Sequence, residues 1–464
     1  MFMEPIKNCT LVAMMALSAN IFAQQSERLP NVVFIMADDL GIGDLGCYGQ
    51  QQIQTPNIDD MACHGIKFMQ HYSGSAVSAP SRCALLTGKH MGHAVIRGNK
   101  KSMGEDSLLY EMPLPSTETT VADIFKIKGY ETACIGKWGL GGPGSEGMPR
   151  KHGFDYFYGY LGQSFAHNYY PMFLHENEKK IILDGKQYSH DLMVEKALNF
   201  IRENEKNPFF LYFSPTIPHA DLDIRKEEMQ QYEGKFCETP FVGRGYKKQL
   251  LPRTVYASMV TYLDKSIGLI KEELKTLGIY ENTIIIFTSD NGVHAEGGHN
   301  PYFFDSNGPF RGHKRDLYEG GIRTPFIVQW IQEIPQGIVT NHISAFWDFL
   351  PTISELLDID VPCKCDGISY LPTLIGKGKQ KEHTSIYFEF FEEGGKQSIL
   401  TPDGWKLIRL QVNDVDKTYE ELYNINMDPA ETSNIIKQYP NIADKLRLLM
   451  NEQRMDNSNF TFDK

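Results

Sequence analysis

Four apolar segments of the chain run straight into side chains of a kind that does chemistry. Asn31-Val-Val-Phe-Ile-Met36 leads to Asp38-Asp39, and Thr283-Ile-Ile-Ile-Phe-Thr288 leads to Asp290-Asn291. Tyr130 to Ile135 leads to Lys137, and Asn207 to Phe213 leads through Pro215 and Pro218 to His219. A fifth stretch, Ser78-Ala-Pro-Ser-Arg82 followed by Leu86-Thr-Gly-Lys89, offers a hydroxyl nucleophile with a guanidinium one helical turn on. Adjacent carboxylates at the end of a buried strand repel each other unless a cation lies between them. Two such pairs of hard oxygen ligands suit calcium, which takes about six to eight oxygens. An arginine near a serine can clamp an oxyanion through its forked donors, and an imidazole suits general acid work near neutral pH. Taken singly, each signal has a plainer reading, since a serine before Ala-Pro is more often a cap or turn residue.

Positioning these groups is the task of the elements before them. The β-branched runs read as buried parallel strands, and in open α/β sheets ligands bind beyond the carboxyl ends of the strands. Residues of one site should therefore share one sheet edge. Helices are expected after Thr55-Pro56 (carrying Met61, Ile66 and Phe68 inward), over Thr120–Lys128, over Val255–Leu277 with its near-helical apolar spacing, and over His342–Leu357. From about residue 376 short strands are expected at Thr384–Phe391, Gln397–Thr401 and Trp405–Leu410, then a helix near Asn441–Met450. The fold class that follows is α/β: a large mixed, mostly parallel sheet flanked by helices, with a smaller C-terminal α+β subdomain. The expected boundaries are 27–375 for the main domain and 376–464 for the subdomain.

The 78–89 stretch closely resembles the signature of the type I sulfatases, of the alkaline-phosphatase-like superfamily, and the resemblance recurs in spaced motifs from Asn31 to about Asn434. It implies that Ser78 is oxidised to formylglycine by an anaerobic sulfatase-maturating enzyme. One hydroxyl of the hydrated aldehyde would attack sulfur, and the other would help expel sulfate. It implies calcium held by Asp38, Asp39, Asp290, Asn291 and residue 78. Arg82, Lys137 and Lys314, the last in Gly312-His-Lys314, would neutralise sulfate, and His219 would protonate the leaving alcohol. The usual motif after the second strand is Gly-Lys-Trp-His-Leu-Gly, but here Gly139 takes the histidine's place. His167, in Ser164-Phe-Ala-His167-Asn-Tyr-Tyr170, is the candidate substitute. Lys89, Arg97 and His294 are further candidates for the substrate pocket, with Lys89 bracing the nucleophile loop.

Composition bounds the partners. The 464-residue chain carries a net charge of −12, which argues against nucleic acid or an anionic membrane surface and requires an anion site to be a local cluster of cations. The apolar run Leu11–Phe22 after Lys7 has the pattern of a signal peptide over residues 1–23, so export to a periplasm or beyond, without stable membrane insertion, is expected. Of the eight cysteines, seven lie beyond that segment and do not form a disulfide framework; Cys363-Lys-Cys365 lacks further soft ligands nearby.

Three functions fit these residues. The first is removal of sulfate from a sulfated glycan, with galactose-type sugars implied by the resemblance of the Gly-Lys-Trp-Gly-Leu-Gly-Gly variant to that of bacterial glycan sulfatases. The second is a phosphodiesterase or phosphonate hydrolase of the same fold, for which a two-zinc site needs more ligands than can be placed. The third is a catalytically silent sulfated-glycan binder, kept open by Gly139.

Overall fold

The structure is a computed structural model describing residues 28–361 and 364–462. The expected signal segment and Cys363 lie outside the described residues. The centre of the molecule is a ten-stranded mixed sheet. Its strands in chain order are β1 (Asn31–Ala37), β2 (Ile66–Phe68), β3 (Glu131–Lys137), β4 (Tyr156–Tyr160), β5 (Phe173–Glu176), β6 (Lys179–Ile182), β7 (Phe209–Ser214), β8 (Thr283–Ser289), β9 (Phe326–Gln329) and β10 (Ile338–Thr340). Across the sheet they run β10-β2-β9-β8-β1-β7-β3-β4-β5-β6. The middle strands β8, β1, β7, β3 and β4 are mutually parallel, whereas both flanks contain antiparallel pairs.

The parallel strands read as unbroken apolar runs because both faces are covered. Val32, Phe34 and Met36 of β1 pack into one core, and Val33 and Ile35 into a second on the opposite face. The second is closed by the long helix Pro252–Thr276, which presents Val255, Met259, Leu263, Ile267, Ile270 and Leu274 at helical spacing. Ser189–Glu203 supplies another amphipathic helix against the same face. Neither it nor the β4–β6 strands were among the expected elements: their apolar residues alternate with Glu, Lys and Tyr and resemble a polar connection.

Two expected elements are corrected. Ile66 and Phe68 are not on the helix after Thr55, which ends at Cys63; past Gly65 they form β2, paired with β9. The segment 342–357 is not one helix. Ser344–Ala345 pairs with His71–Tyr72, and the regular helix spans Phe349–Leu356. A short 3-10 turn, Phe346–Asp348, precedes it, and Asp348 closes the start of that turn by accepting the Ala345 N–H at 2.8 Å, as an acidic third residue does in a capping box.

The C-terminal subdomain is a four-stranded antiparallel meander, β11 (Ile386–Phe390), β12 (Lys396–Leu400), β13 (Trp405–Leu410) and β14 (Tyr419–Asn424). The helix Pro440–Glu452 covers one of its faces through Ala443, Leu446 and Met450. The other face joins the main core through Phe388, Phe390 and Leu400. No helix among the described residues is long and apolar enough to cross a membrane.

Candidate active site

The carboxyl ends of β1, β3, β7 and β8 converge, and the polar residues that follow them meet there. Ser78 begins a ten-residue helix, Ser78–Thr87, so the expected nucleophile loop is a helix start. That geometry places Arg82 one turn below Ser78 on the same side. Ser78 Oγ receives a hydrogen bond from Lys137 Nζ at 3.1 Å and donates to Asp38 Oδ1 at 3.3 Å. Lys137 Nζ also spans both oxygens of Asp38, at 2.9 and 2.7 Å. Arg82 is fully buried; its Nη2 donates to Asp290 Oδ2 at 2.9 Å and its Nη1 to the Lys137 carbonyl at 2.7 Å. The guanidinium therefore ties the ends of β3 and β8 together beneath the serine.

On the other side, Lys314 Nζ sits 2.8 Å from Asp39 Oδ2, 3.0 Å from His219 Nε2 and 3.1 Å from Glu296 Oε2. His219 Nε2 lies 3.2 Å from Asp39 Oδ2. The turn carrying His219 is pinned by the buried Tyr169, whose hydroxyl donates to the carbonyls of Thr216 (2.9 Å) and His219 (2.5 Å). His167 stacks on His219 with ring centres 4.5 Å apart.

Three carboxylates and an amide meet at the centre. Asp39 takes a left-handed backbone, φ 61°, which aspartate tolerates better than most residues; its N–H donates to Asp290 Oδ1 at 3.1 Å. Asn291 Nδ2 donates to Asp39 Oδ1 at 2.7 Å, while Asn291 Oδ1 is buried with no hydrogen-bond partner among the described residues. Ligand atoms of Asp38, Asp39 and His219 lie within 4.8 Å of one another. An all-oxygen set of Asp38, Asp39, Asp290 and Asn291, with one amide oxygen left unsatisfied, fits a hard cation such as calcium.

The electrostatics follow from burial and charge together. Burial pushes Asp38 up to about 7, even with Lys137 beside it. Burial acts the same way on Asp39, but Lys314, then His294 and Lys137, overcome it and hold that carboxyl at about 2. Burial, then Lys137 and Lys314, push the His167 imidazole down to about 3. Burial and the same lysines place His219 well below the ordinary histidine range. Both imidazoles are thus neutral near pH 7, and cationic charge at this edge resides in Arg82, Lys137 and Lys314.

Several sequence-predicted residues lie elsewhere. Arg97 does not face the substrate region: it is 2% exposed and bridges to the C-terminal subdomain, with Nη1 3.0 Å from both Glu389 Oε1 and the Met455 carbonyl. The positive charge read as an anion contact is used to join two parts of the fold. Lys89 pairs with Glu118 at 2.6 Å rather than with the site. His294 is buried beneath His219, its Nε2 3.1 Å from the Pro218 carbonyl, so it supports that turn instead of meeting substrate. The site also includes residues that the sequence did not reveal. Glu296 links Lys314 to Arg315 Nη1, at 2.5 Å, and to the Tyr246 hydroxyl, at 2.7 Å. An acidic residue in a glycine- and histidine-rich loop was the available signal for Glu296; nothing local marks Tyr246.

With this geometry in hand, comparison with known proteins is direct. The Sulfatase family pattern matches residues 30–359, and that described as N-sulphoglucosamine sulphohydrolase, C-terminal, matches 310–456. The human N-acetylgalactosamine-6-sulfatase is 30% identical over 389 residues, covering 79% of this chain and 69% of that protein. The N-acetylgalactosamine-6-O-sulfatase of Bacteroides thetaiotaomicron is 27% identical over 521 aligned positions, covering 92% and 93%. Among solved structures, Ps i-CgsB in complex with k-i-k-neocarrahexaose superposes with a TM-score of 0.78 at 27% identity, covering 94% of this chain and 95% of that one. A phosphonate monoester hydrolase of Agrobacterium radiobacter shares the fold alone, at 17% identity and TM-score 0.67. The chain belongs to the sulfatase family and is a sulfuric ester hydrolase.

Proposed function

We propose that the protein removes an O-sulfate from a sulfated, galactose-type sugar of a glycan, using residue 78 as the nucleophile after conversion of Ser78 to formylglycine. The observation that carries this reading is the Ser78 oxygen held between Lys137 and Asp38, with Arg82 on the neighbouring Asp290 and Lys314 and His219 on Asp39. The names of the two N-acetylgalactosamine-6-sulfatases and the neocarrahexaose complex support the sugar class. Asp38, Asp39, Asp290, Asn291 and residue 78 would hold a calcium ion, which would supply positive charge opposite the sulfate oxygens.

The chain's own groups divide the remaining work. Lys137 stabilises the residue 78 oxygen and neutralises part of the incoming sulfate. Lys314, buried and kept charged by Asp39 and Glu296, faces sulfate from the opposite side. Arg82 holds Asp290 and the β3 end in register, and its charge opposes that of the anion. His219 hands a proton to the leaving alcohol oxygen, a role that requires its imidazole, neutral in the free enzyme, to take up a proton once the anionic substrate is bound. The neutral His167 borders the leaving group and is placed to accept a proton from residue 78 during turnover.

Export as a periplasmic or secreted enzyme and maturation by an anaerobic sulfatase-maturating enzyme belong to the same reading. The test is sulfate release by protein co-expressed with a serine-type maturase, across galactose, N-acetylgalactosamine and N-acetylglucosamine sulfates with a phosphodiester control. Release from a galacto-configured sulfate is expected. Release of none, from protein whose residue 78 has the mass of formylglycine, would refute the proposal.

A further inference from the structure

The groups assigned to sulfate are buried: Ser78, Lys137, Lys314 and His219 are each 6% exposed or less. The sugar bonded to that sulfate has to lie where the site opens. Among the described residues, two rings that lie against His219 are themselves partly exposed, His167 and Tyr246. The His219 ring centre is 4.5 Å from that of His167 and 6.4 Å from that of Tyr246, and the His167 and Tyr246 centres are 5.7 Å apart. A sugar leaving from His219 passes between them and solvent.

Tyr246 arrives on a stretch with no helix or strand of its own. Phe241 and Gln249 exchange backbone hydrogen bonds at 2.7 and 3.1 Å, closing the loop 242–248. Gly243 and Gly245 turn it, with φ of +91° and +74°, angles that residues with a β-carbon rarely take. The ring is then fixed from two sides. The Tyr246 hydroxyl donates to Glu296 Oε2 at 2.7 Å, and the next N–H, of Lys247, donates to Asp221 Oδ1 at 2.8 Å, just beyond His219. Glu296 is in turn held by Lys314 and Arg315. With its hydroxyl committed to that carboxylate, Tyr246 offers a ligand its aromatic surface.

Such a surface takes the apolar C–H side of a sugar ring. In a galacto-configured pyranose the axial hydroxyl leaves three neighbouring ring hydrogens on one side as a continuous apolar patch, and the gluco epimer breaks that patch. We infer that Tyr246 is a specificity-determining contact for the sugar that carries the sulfate, its ring packing on the apolar side of a galacto-configured pyranose whose sulfated oxygen lies at His219. This inference rests on the proposed removal of sulfate from a galactose-type sugar and names the residue that selects it.

The test measures kcat/KM of matured wild type, Tyr246→Ala and Tyr246→Phe on a galactose sulfate and on the glucose sulfate substituted at the same carbon, with inhibition by inorganic sulfate alongside. Tyr246→Ala is expected to lower the preference for the galacto sugar about three- to tenfold, the worth of one aromatic contact. Tyr246→Phe keeps the ring and loses only the bond to Glu296, so it is expected to keep the preference. Inhibition by inorganic sulfate reads the buried cations alone and should match wild type in both. If Tyr246→Ala does not fold, Tyr246→Leu, which keeps apolar bulk without an aromatic face, carries the comparison. An unchanged preference, or an equal loss on both epimers accompanied by weaker inhibition by sulfate, would overturn the sugar contact alone; the second result would mean that Tyr246 acts through Glu296 on Lys314. Wild type that cleaves neither epimer, with residue 78 converted, would instead refute the proposed function and, with it, this inference.

Discussion

Two clusters of buried charge lie on either side of the loop that carries Lys314, and they serve different ends. At the active site, Asp38, Asp39 and Asp290 face Lys137, Lys314 and Arg82. At the junction with the C-terminal subdomain, Glu319 and Glu431 share Lys406, at 2.8 and 2.9 Å, and Arg323 and the Tyr72 hydroxyl reach Glu319 at 3.0 and 2.8 Å. Both clusters are almost wholly enclosed and match cations to carboxylates. The junction uses that match to fasten β13 to the main domain. The active site instead holds a reactive hydroxyl, Ser78, between its charges. Balanced buried charge alone does not mark a site; balanced charge gathered around a reactive hydroxyl does.

The sharpest separation of the two regions is kinetic. Ser78→Ala removes the nucleophile, so kcat is expected to fall roughly 10⁴-fold or more, with stability within about 0.5 kcal/mol of wild type, as for a small substitution that leaves no charge unpaired. Sulfate-release rates and thermal melting check both. A large melting shift with modest loss of rate would place Ser78 with the junction in kind.

Lys406→Ala is the converse. It leaves Glu319 and Glu431 buried without their shared cation, an effect of about 3–5 kcal/mol on stability. Denaturant unfolding should show it, while kcat/KM of the remaining folded enzyme stays near wild type. Arg97→Ala belongs to the same class, because Arg97 pairs with Glu389; a selective rise in KM there would restore the pocket role expected from sequence.

Chelation distinguishes the regions more gently. Calcium removal is expected to abolish turnover and to lower stability by about 2.7 kcal/mol relative to protein at one hundred times Kd, with calcium rather than zinc restoring both. The junction should not respond to the metal except through global unfolding, so Lys406→Ala should retain calcium-dependent activity.

The smallest effect concerns Asp44, behind the site. Burial raises its carboxyl to about 7, despite hydrogen bonds from Ser306, Tyr256 and the Gly41 N–H. Its ordinary value is 3.8, so between about pH 4 and 7 the folded state holds more proton than the unfolded state. Stability from this group is therefore present below pH 4 and declines as pH rises to 7. Asp44→Asn should flatten that part of the stability–pH curve; an unchanged slope would show that Asp44 ionises normally.

Much of this was legible in the sequence for a physical reason. Buried parallel strands are continuous apolar runs, so NVVFIM and TIIIFT identify themselves, and the polar residues after them necessarily share an edge. Asp38, Asp39, Lys137, His219, Asp290 and Asn291 were found that way. Lys314 and the function of Ser78 needed the family resemblance, because no strand leads directly into them. Arg82 stands inside the Ser78–Lys89 motif and could be read from it, whereas Arg97 only follows the motif, and its tertiary partner, Glu389, rather than anything local, decides its role. Tyr246 and Glu296 come from loops whose positions depend on packing far along the chain. The meander strand Tyr419–Asn424 was missed because its outer residues are acidic and its pairing is with β13.

Hydrolysis of a sulfated sugar in ¹⁸O-labelled water tests the central claim most directly, that an oxygen at residue 78 attacks sulfur while the sugar departs with its own oxygen. The account predicts label in the released sulfate and none in the new sugar hydroxyl. Label in the sugar would mean that the carbon–oxygen bond breaks, and would contradict an attack at sulfur by residue 78.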